Sequence, residues 1–294
     1  MDDKKLMILK NLKSRFHQLL DPIYGVEEVD SFFRFLIEYY FNLKPITLVM
    51  NPNYEVDELG AIKMEEALAR LKSQEPIQHI LGETEFFGLL FQVSEFTLIP
   101  RPETEELVQW IVDMCKSRTE PLRILDIGTG SGCIPISLGN CLPNAEIYAL
   151  DVSGEALKVA EENAERNKVE VKFIKGDILN YEILESGFLN LNFDVIVSNP
   201  PYVRELEKEE MKPNVLEYEP ELALFVPDHD PLRFYKVITK FANKYLKNSG
   251  LLFFEINQYL GKEMEELLLA NDFKEVELRQ DMFGNDRMLK GKKL

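Results

Sequence analysis

A strand-like run, Phe193–Ser198, ends in Asn199-Pro200-Pro201-Tyr202, a set of residues suited to holding a planar NH2 group. An amide or exocyclic amine is a poor nucleophile because its nitrogen lone pair is delocalised. A site that alkylates such a nitrogen must therefore aim the lone pair at the electrophile. The Asn199 side-chain oxygen and the Pro200 backbone carbonyl can each accept one N–H, while the prolines stiffen the turn that carries them. Tyr202 can cover the flat face of the acceptor. No strong base is visible beside the motif, so positioning and electrostatic stabilisation of charge on nitrogen have to suffice.

The second constellation lies upstream. Leu125-Asp126-Ile127-Gly128-Thr129-Gly130-Ser131-Gly132 puts three glycines where a strand turns into a helix, so that a ligand can approach the backbone closely. The spacing is GxGxG behind an acid, not the GxGxxG of dinucleotide folds, which favours S-adenosylmethionine, with S-adenosylhomocysteine as product, over NAD. Gly128, Thr129, Gly130, Ser131 and Gly132 are the candidate cradle. Asp151, closing the next strand, is placed to accept hydrogen bonds from ribose hydroxyls. Asp177, after the third strand, can meet an adenine amino group, and Ile178 beside it offers an apolar contact. Asn199 counts as a cofactor contact as well. Read singly, each feature is a turn or a helix cap; the combination is specific. It names transfer of a methyl group to a planar nitrogen, a reaction shared by DNA, RNA and protein-glutamine methyltransferases.

The elements that must position these residues follow from periodicity. At 294 residues, with 45% hydrophobic and 29% charged residues, the chain can bury two cores. Early apolar positions, Leu6, Leu9, Leu12, Phe16 and Leu19, recur at helical spacing, as do those of Val29 to Phe41 and of Val56 to Leu71, where Leu59, Ile62, Leu68 and Leu71 form one side. Residues 1–84 are expected to be a small helical bundle. Residues 85–103 read as a β-hairpin linker, with Phe86–Val93 and Phe96–Ile99 as its arms. Residues 104–294 form the catalytic domain, opened by a helix that Thr104 caps. There, Arg123–Ile127, Glu146–Leu150, Val169–Ile174, Phe193–Ser198 and Leu251–Ile256 alternate with helical stretches, the pattern of a doubly wound α/β sheet. Glu275–Arg279 and Arg287–Lys290 predict a closing antiparallel pair.

Thirty-four basic against fifty-one acidic residues give a net charge of −17, which disfavours extended nucleic acid as a partner. No run approaches a membrane span and no leader is evident, so a cytoplasmic, monomeric protein is expected. Cys115, Cys133 and Cys141 lack CxxC spacing, and His17, His79 and His229 are scattered, so no metal is expected. The acidic run Glu205–Glu210 reads as a solvated segment, able to form a lid. Asp286-Arg287 reads as a structural pair.

Further segments carry a resemblance. Gly82-Glu83-Thr84-Glu85-Phe86-Phe87-Gly88-Leu89, then Leu98-Ile99-Pro100-Arg101-Pro102-Glu103-Thr104-Glu105, Tyr218-Glu219-Pro220-Glu221-Leu222-Ala223-Leu224 and Gly284-Asn285-Asp286-Arg287 accompany the Asn-Pro-Pro-Tyr turn. Over essentially its full length the chain resembles the release-factor glutamine methyltransferases, the PrmC/HemK family. The resemblance implies that the N-terminal helical domain, residues 1–84, helps recognise substrate, and that a hairpin linker joins it to a class I S-adenosylmethionine-dependent, Rossmann-like domain of seven strands. It implies as substrate the glutamine of a release factor's Gly-Gly-Gln tripeptide. Asn199, Pro200, Pro201 and Tyr202 would hold that glutamine, with Arg101, Pro102, Thr104 and Glu105 lining the site. Ile178 departs from family members with a tryptophan there, which removes ring stacking on adenine. Three rivals differ in acceptor or class: a ribosomal-protein glutamine methyltransferase, a DNA or RNA amino-methyltransferase, and a non-catalytic S-adenosylmethionine sensor.

Overall fold

The computed structural model describes residues 7–184 and 191–294. Its chain divides into two units. The first comprises the described residues up to Gly82 together with the helix Pro213–Tyr218. Helix α1 (Leu9–Tyr24) buries Leu9, Leu12, Phe16 and Leu20, and α2 (Val26–Phe41) buries Val29, Phe32, Phe33, Leu36 and Ile37. These stripes give the unit its core, with Phe16 and Phe33 edge to face at 5.3 Å. Leu6 lies outside the described residues. A short α3 (Ile46–Met50) and the pair β1 (Met7–Ile8) and β2 (Glu55–Val56) lead to α4 (Glu58–Lys72), followed by α5 (Ile77–Leu81).

Two details of this unit correct the periodicity. The buried face of α4 is Gly60, Ala61, Met64, Ala67, Leu68 and Leu71, whereas Leu59 and Ile62 are exposed. Small residues let the helix approach its neighbours; a Cβ on Gly60 would come within 2.4 Å of the Phe41 ring. The helix Pro213–Tyr218, far along the chain, was not anticipated; the Tyr218 hydroxyl donates to the Ser73 carbonyl at 2.9 Å.

The second unit, from Glu83 onward, opens with the hairpin β3 (Glu83–Phe86) and β4 (Leu89–Gln92). Phe87 and Gly88 both take positive φ, so the chain reverses in two residues and β4 pairs at once. Phe96–Ile99 is therefore not a hairpin arm: Thr97 closes a turn onto Ser94, and the chain runs on irregularly. Asn163 of α8 (Gly154–Asn167) holds β4 by accepting from Gln92 N and donating to Gln92 O.

The main sheet comprises β5 (Arg123–Ile127), β6 (Glu146–Asp151), β7 (Val171–Lys175), β8 (Phe193–Ser198), β11 (Leu246–Glu255), β12 (Lys274–Gln280) and β13 (Asp286–Lys292). Two short strands, β9 (Val203–Arg204) and β10 (Phe225–Val226), pair separately. The order is β12-β13-β11-β8-β5-β6-β7, parallel from β11 to β7 and antiparallel at the β12–β13 edge. Helices α6 (Pro102–Cys115) and α7 (Cys133–Cys141) cover one face; Arg233–Tyr245 and Gly261–Ala270 pack on the other. Pro102 occupies the first position of α6, so Thr104 lies inside the helix and does not cap it.

Candidate active site

Strand register brings the two motifs together. Ile127 pairs with both Leu150 and Ser198, so the residues that follow, Gly128, Asp151 and Asn199, emerge side by side at the carboxyl edge of the sheet. The strand order reverses beside β5, the place where open α/β sheets bind ligands. A cavity of about 420 Å3 opens there, within the usual size of a small-molecule site.

The glycine loop is held from below: the N–H groups of Gly128 and Thr129 donate to Leu150 O at 2.8 and 3.2 Å. Gly128 and Gly130 have φ of +78° and +56°, and a Cβ on Gly130 would meet nothing within 4 Å. Its missing side chain leaves room on the cavity side. Gly132 differs. It does not line the cavity, and a Cβ there would come within 2.9 Å of Ile136 and 3.1 Å of Ala160, so it serves the packing of α7 on α8.

Asp151 lines the cavity with one oxygen accepting from Gly130 N and the other from Ser153 N, both at 2.8 Å. Burial raises its pKa, and these amides oppose the rise. Asp177 and Ile178 also line the cavity, but the Asp177 carboxylate is engaged by Leu179 N and the Asn180 side chain. Sequence reasoning passed over Asp126 as the acid that merely heads the loop. It is fully buried beside the Thr129 hydroxyl and, unlike Asp151, does not itself line the cavity. Burial pushes Asp126 up to about 7, opposed by the Thr129 hydroxyl and aided by the Asp151 charge. A carboxylate whose burial outweighs its hydrogen bonds favours positive charge nearby. Together with the open backbone at Gly130, this donor set fits the sulfonium and ammonium groups of S-adenosylmethionine.

Asn199, Pro200 and Pro201 line the opposite wall, with Leu98, Pro100, Arg101 and Thr104. The stretch expected as a hairpin arm thus forms cavity wall. Arg101 reaches Glu219 at 2.5 Å, and Glu219 also accepts from Ile99 N at 3.2 Å. Glu105 lies elsewhere: its carboxylate accepts from Phe87 N at 2.9 Å and fixes the hairpin turn, away from the cavity lining. Tyr202 does not line the cavity either; its hydroxyl donates to Glu255 at 3.0 Å, and its carbonyl accepts from Asn257. Glu255, missed in the sequence, is 2% exposed and also accepts from Thr104 at 2.6 Å. Burial raises its pKa, opposed by these hydrogen bonds and by Arg287. Arg287 pairs with Asp281 at 3.1 Å, not with the adjacent Asp286, which lies across the turn on Gln280. Glu207 of the acidic run is not freely solvated: it accepts from Asn257 and pairs with Arg204.

Known proteins resemble this chain in sequence and in fold. Residues 108–217 match the family model described as Methyltransferase small domain, and residues 13–82 match PrmC N-terminal domain. A release factor glutamine methyltransferase of Flavobacterium psychrophilum is 53% identical over 97% of this chain and 99% of its own. One of Bacteroides thetaiotaomicron is 42% identical over 96% of this chain and 99% of its own. A 16S rRNA guanine methyltransferase of Thermus thermophilus, solved with AdoMet and guanosine, is similar in fold, with a TM-score of 0.51 and 16% identity over 72% of this chain and 50% of its own.

Proposed function

The chain belongs to the release factor glutamine methyltransferase family, and from that premise we propose that it methylates the side-chain amide nitrogen, N5, of the Gly-Gly-Gln glutamine in peptide-chain release factors. The methyl donor is S-adenosylmethionine, which when bound supplies a methyl group already activated on sulfur. The loop from Gly128 to Ser131 would hold it with its backbone and Asp151 through ribose hydroxyls, while the Asp126 carboxylate behind the loop would favour its positive charge. Ile178 and Asp177 would meet the adenine.

The observation that carries the reading is one cavity lined both by this cradle and by Asn199-Pro200-Pro201. Asn199 Oδ1 and the Pro200 carbonyl accept the two N–H groups of the glutamine and hold its lone pair toward the methyl group. As positive charge grows on the nitrogen, its N–H groups become stronger donors. The two oxygens therefore stabilise the transition state more than the ground state. Tyr202 acts from behind the turn, and the Arg101–Glu219 pair holds the wall against which the substrate docks. Apolar walls at Leu98, Pro100 and Ile134 keep water from competing.

The reading also makes the enzyme a cytoplasmic monomer acting on protein. A net charge of −17 supports a protein acceptor over nucleic acid, and among the described residues no helix is long and apolar enough to cross a membrane. Mass spectrometry of a purified release factor, incubated with this protein and S-adenosylmethionine, tests it. One methyl group gained on the Gly-Gly-Gln glutamine, and lost with Asn199→Ala, is the expected result. Methylation of a ribosomal protein or of RNA in its place would overturn the substrate assignment.

A further inference from the structure

We propose that Thr104 and Glu255 are positioning residues that fix which way round the Asn199 amide lies, so that its oxygen and not its NH2 is presented to the substrate. The inference rests on the reading of Asn199 as the acceptor for the glutamine N–H. It follows from counting protons along a partly buried chain of hydrogen bonds among five residues drawn from four segments.

The count begins at Arg287, which can only donate. Its Nη1 approaches the Tyr202 hydroxyl at 3.5 Å, so that hydroxyl receives there and gives its own proton to Glu255 Oε1, 3.0 Å away. The other carboxylate oxygen, Oε2, lies 2.6 Å from Thr104 Oγ1. A carboxylate only accepts, and Thr104 has one proton, which goes to Glu255. Thr104 then has only lone pairs left for Asn199, and the atom facing it, at 3.4 Å, is Asn199 Nδ2. The opposite rotamer would set the carbonyl oxygen of Asn199 against a lone pair. With Nδ2 turned to Thr104, Oδ1 is the end of the amide left for the incoming substrate. Thr104 sits on the cavity wall and Glu255 behind it. Neither has to touch the reacting nitrogen.

Replacing Glu255 by Gln reverses the chain. Tyr202 still requires an acceptor at Oε1, so the new NH2 faces Thr104 and donates to it. The Thr104 proton must then turn to Asn199 and draws Oδ1 away from the substrate. Thr104→Val removes the hydroxyl at nearly constant shape, and Thr104→Ser keeps it.

The experiment compares the full-length wild type with these three variants, using a purified release factor as acceptor. It measures kcat, cofactor affinity by calorimetry, and the side-chain amide NMR signal of Asn199 in asparagine-labelled protein. The expected result is a kcat loss of roughly 100-fold for Thr104→Val and Glu255→Gln, the scale of a misplaced reacting group. Cofactor affinity stays at the wild-type value, the Asn199 signal shifts in both, and Thr104→Ser retains most of the rate. Thr104→Val with near wild-type kcat, an unmoved Asn199 signal, or parallel loss of kcat and cofactor affinity would each overturn the inference. If the wild type itself fails to methylate any release factor, the functional reading falls, and the Asn199 signal still decides the orientation.

Discussion

Replacing Asp126 by Asn measures what the sheet loses by keeping a carboxylate in its interior. The residue is fully buried, and burial lifts its pKa from 3.8 to about 7 against the opposing Thr129 hydroxyl and Ile127 N–H. Because the folded value lies above the unfolded one, the folded chain holds its proton over a range in which the unfolded chain has released it. Below pH 3.8 both states are protonated and the residue has no pH-dependent effect. Above that, each pH unit favours the unfolded state by about 1.4 kcal/mol, until the folded carboxyl also ionises. The shift from 3.8 to about 7 thus corresponds to a loss on the order of 4 kcal/mol, complete near neutral pH and constant beyond. Asparagine does not titrate. Its buried amide adds a cost of about 1–3 kcal/mol that does not depend on pH. Urea unfolding of cofactor-free wild type and Asp126→Asn, from about pH 4 to pH 8, reads the difference directly. Wild-type stability relative to the variant should fall through that window and then level off. Parallel stability curves, or a wild type that gains on the variant with rising pH, would refute the argument.

The glycines of the loop should separate by role. Gly132→Ala is strained both by its φ of +80° and by contact with Ile136 and Ala160, and should cost about 2–5 kcal/mol in thermal unfolding. Gly130→Ala, with open space around its Cβ, should cost only about 1–2 kcal/mol yet weaken cofactor binding measured by calorimetry. Asn199→Ala should abolish methyl transfer with cofactor affinity retained, whereas Asp151→Ala should weaken that affinity; equal losses of binding in both would contradict the division. Glu219→Ala leaves Ile99 N–H and Arg101 without their partner; with Arg101 33% exposed, a loss of about 2–3 kcal/mol is expected by chemical denaturation, below the value for a fully buried pair.

What the sequence made legible was local. The strand limits of Arg123–Ile127 and Phe193–Ser198 are those of the structure, because each is a short apolar run cut off by turn residues. The glycine loop and the Asn-Pro-Pro-Tyr turn could be read because conformation there is set by the residues themselves. Errors arose where a second partner decides. Thr104 has the composition of a cap, but Pro102 begins the helix and leaves its hydroxyl to Glu255. Phe96–Ile99 has strand composition, yet the tight turn at Phe87-Gly88 had already closed the hairpin. Leu59 and Ile62 satisfy a helical period, but the closer approach allowed by Gly60 and Ala61 turned the other face inward.

The buried polar groups around the site share one trait: their partners are distant in sequence. Thr104 and Glu255 are separated by 151 positions, Arg101 and Glu219 by 118, and Tyr202 and Arg287 by 85. No window of the chain contains both members of any pair, so neither periodicity nor turn chemistry can signal them. Their identities are nonetheless constrained. A carboxylate in a sheet interior is costly unless donors meet it. Glu255, closing an apolar strand whose Leu252, Phe253 and Phe254 are all buried, is such a residue. Asp126, between Leu125 and Ile127, is another, and there burial outweighs the donors that meet it. A charged residue that interrupts a buried strand is thus a signal readable without a structure, and the two fates differ in function. Where several donors meet the acid, as Thr104 and Tyr202 meet Glu255, it is tied to its neighbours; where burial outweighs them, as at Asp126, the fold loses stability as pH rises.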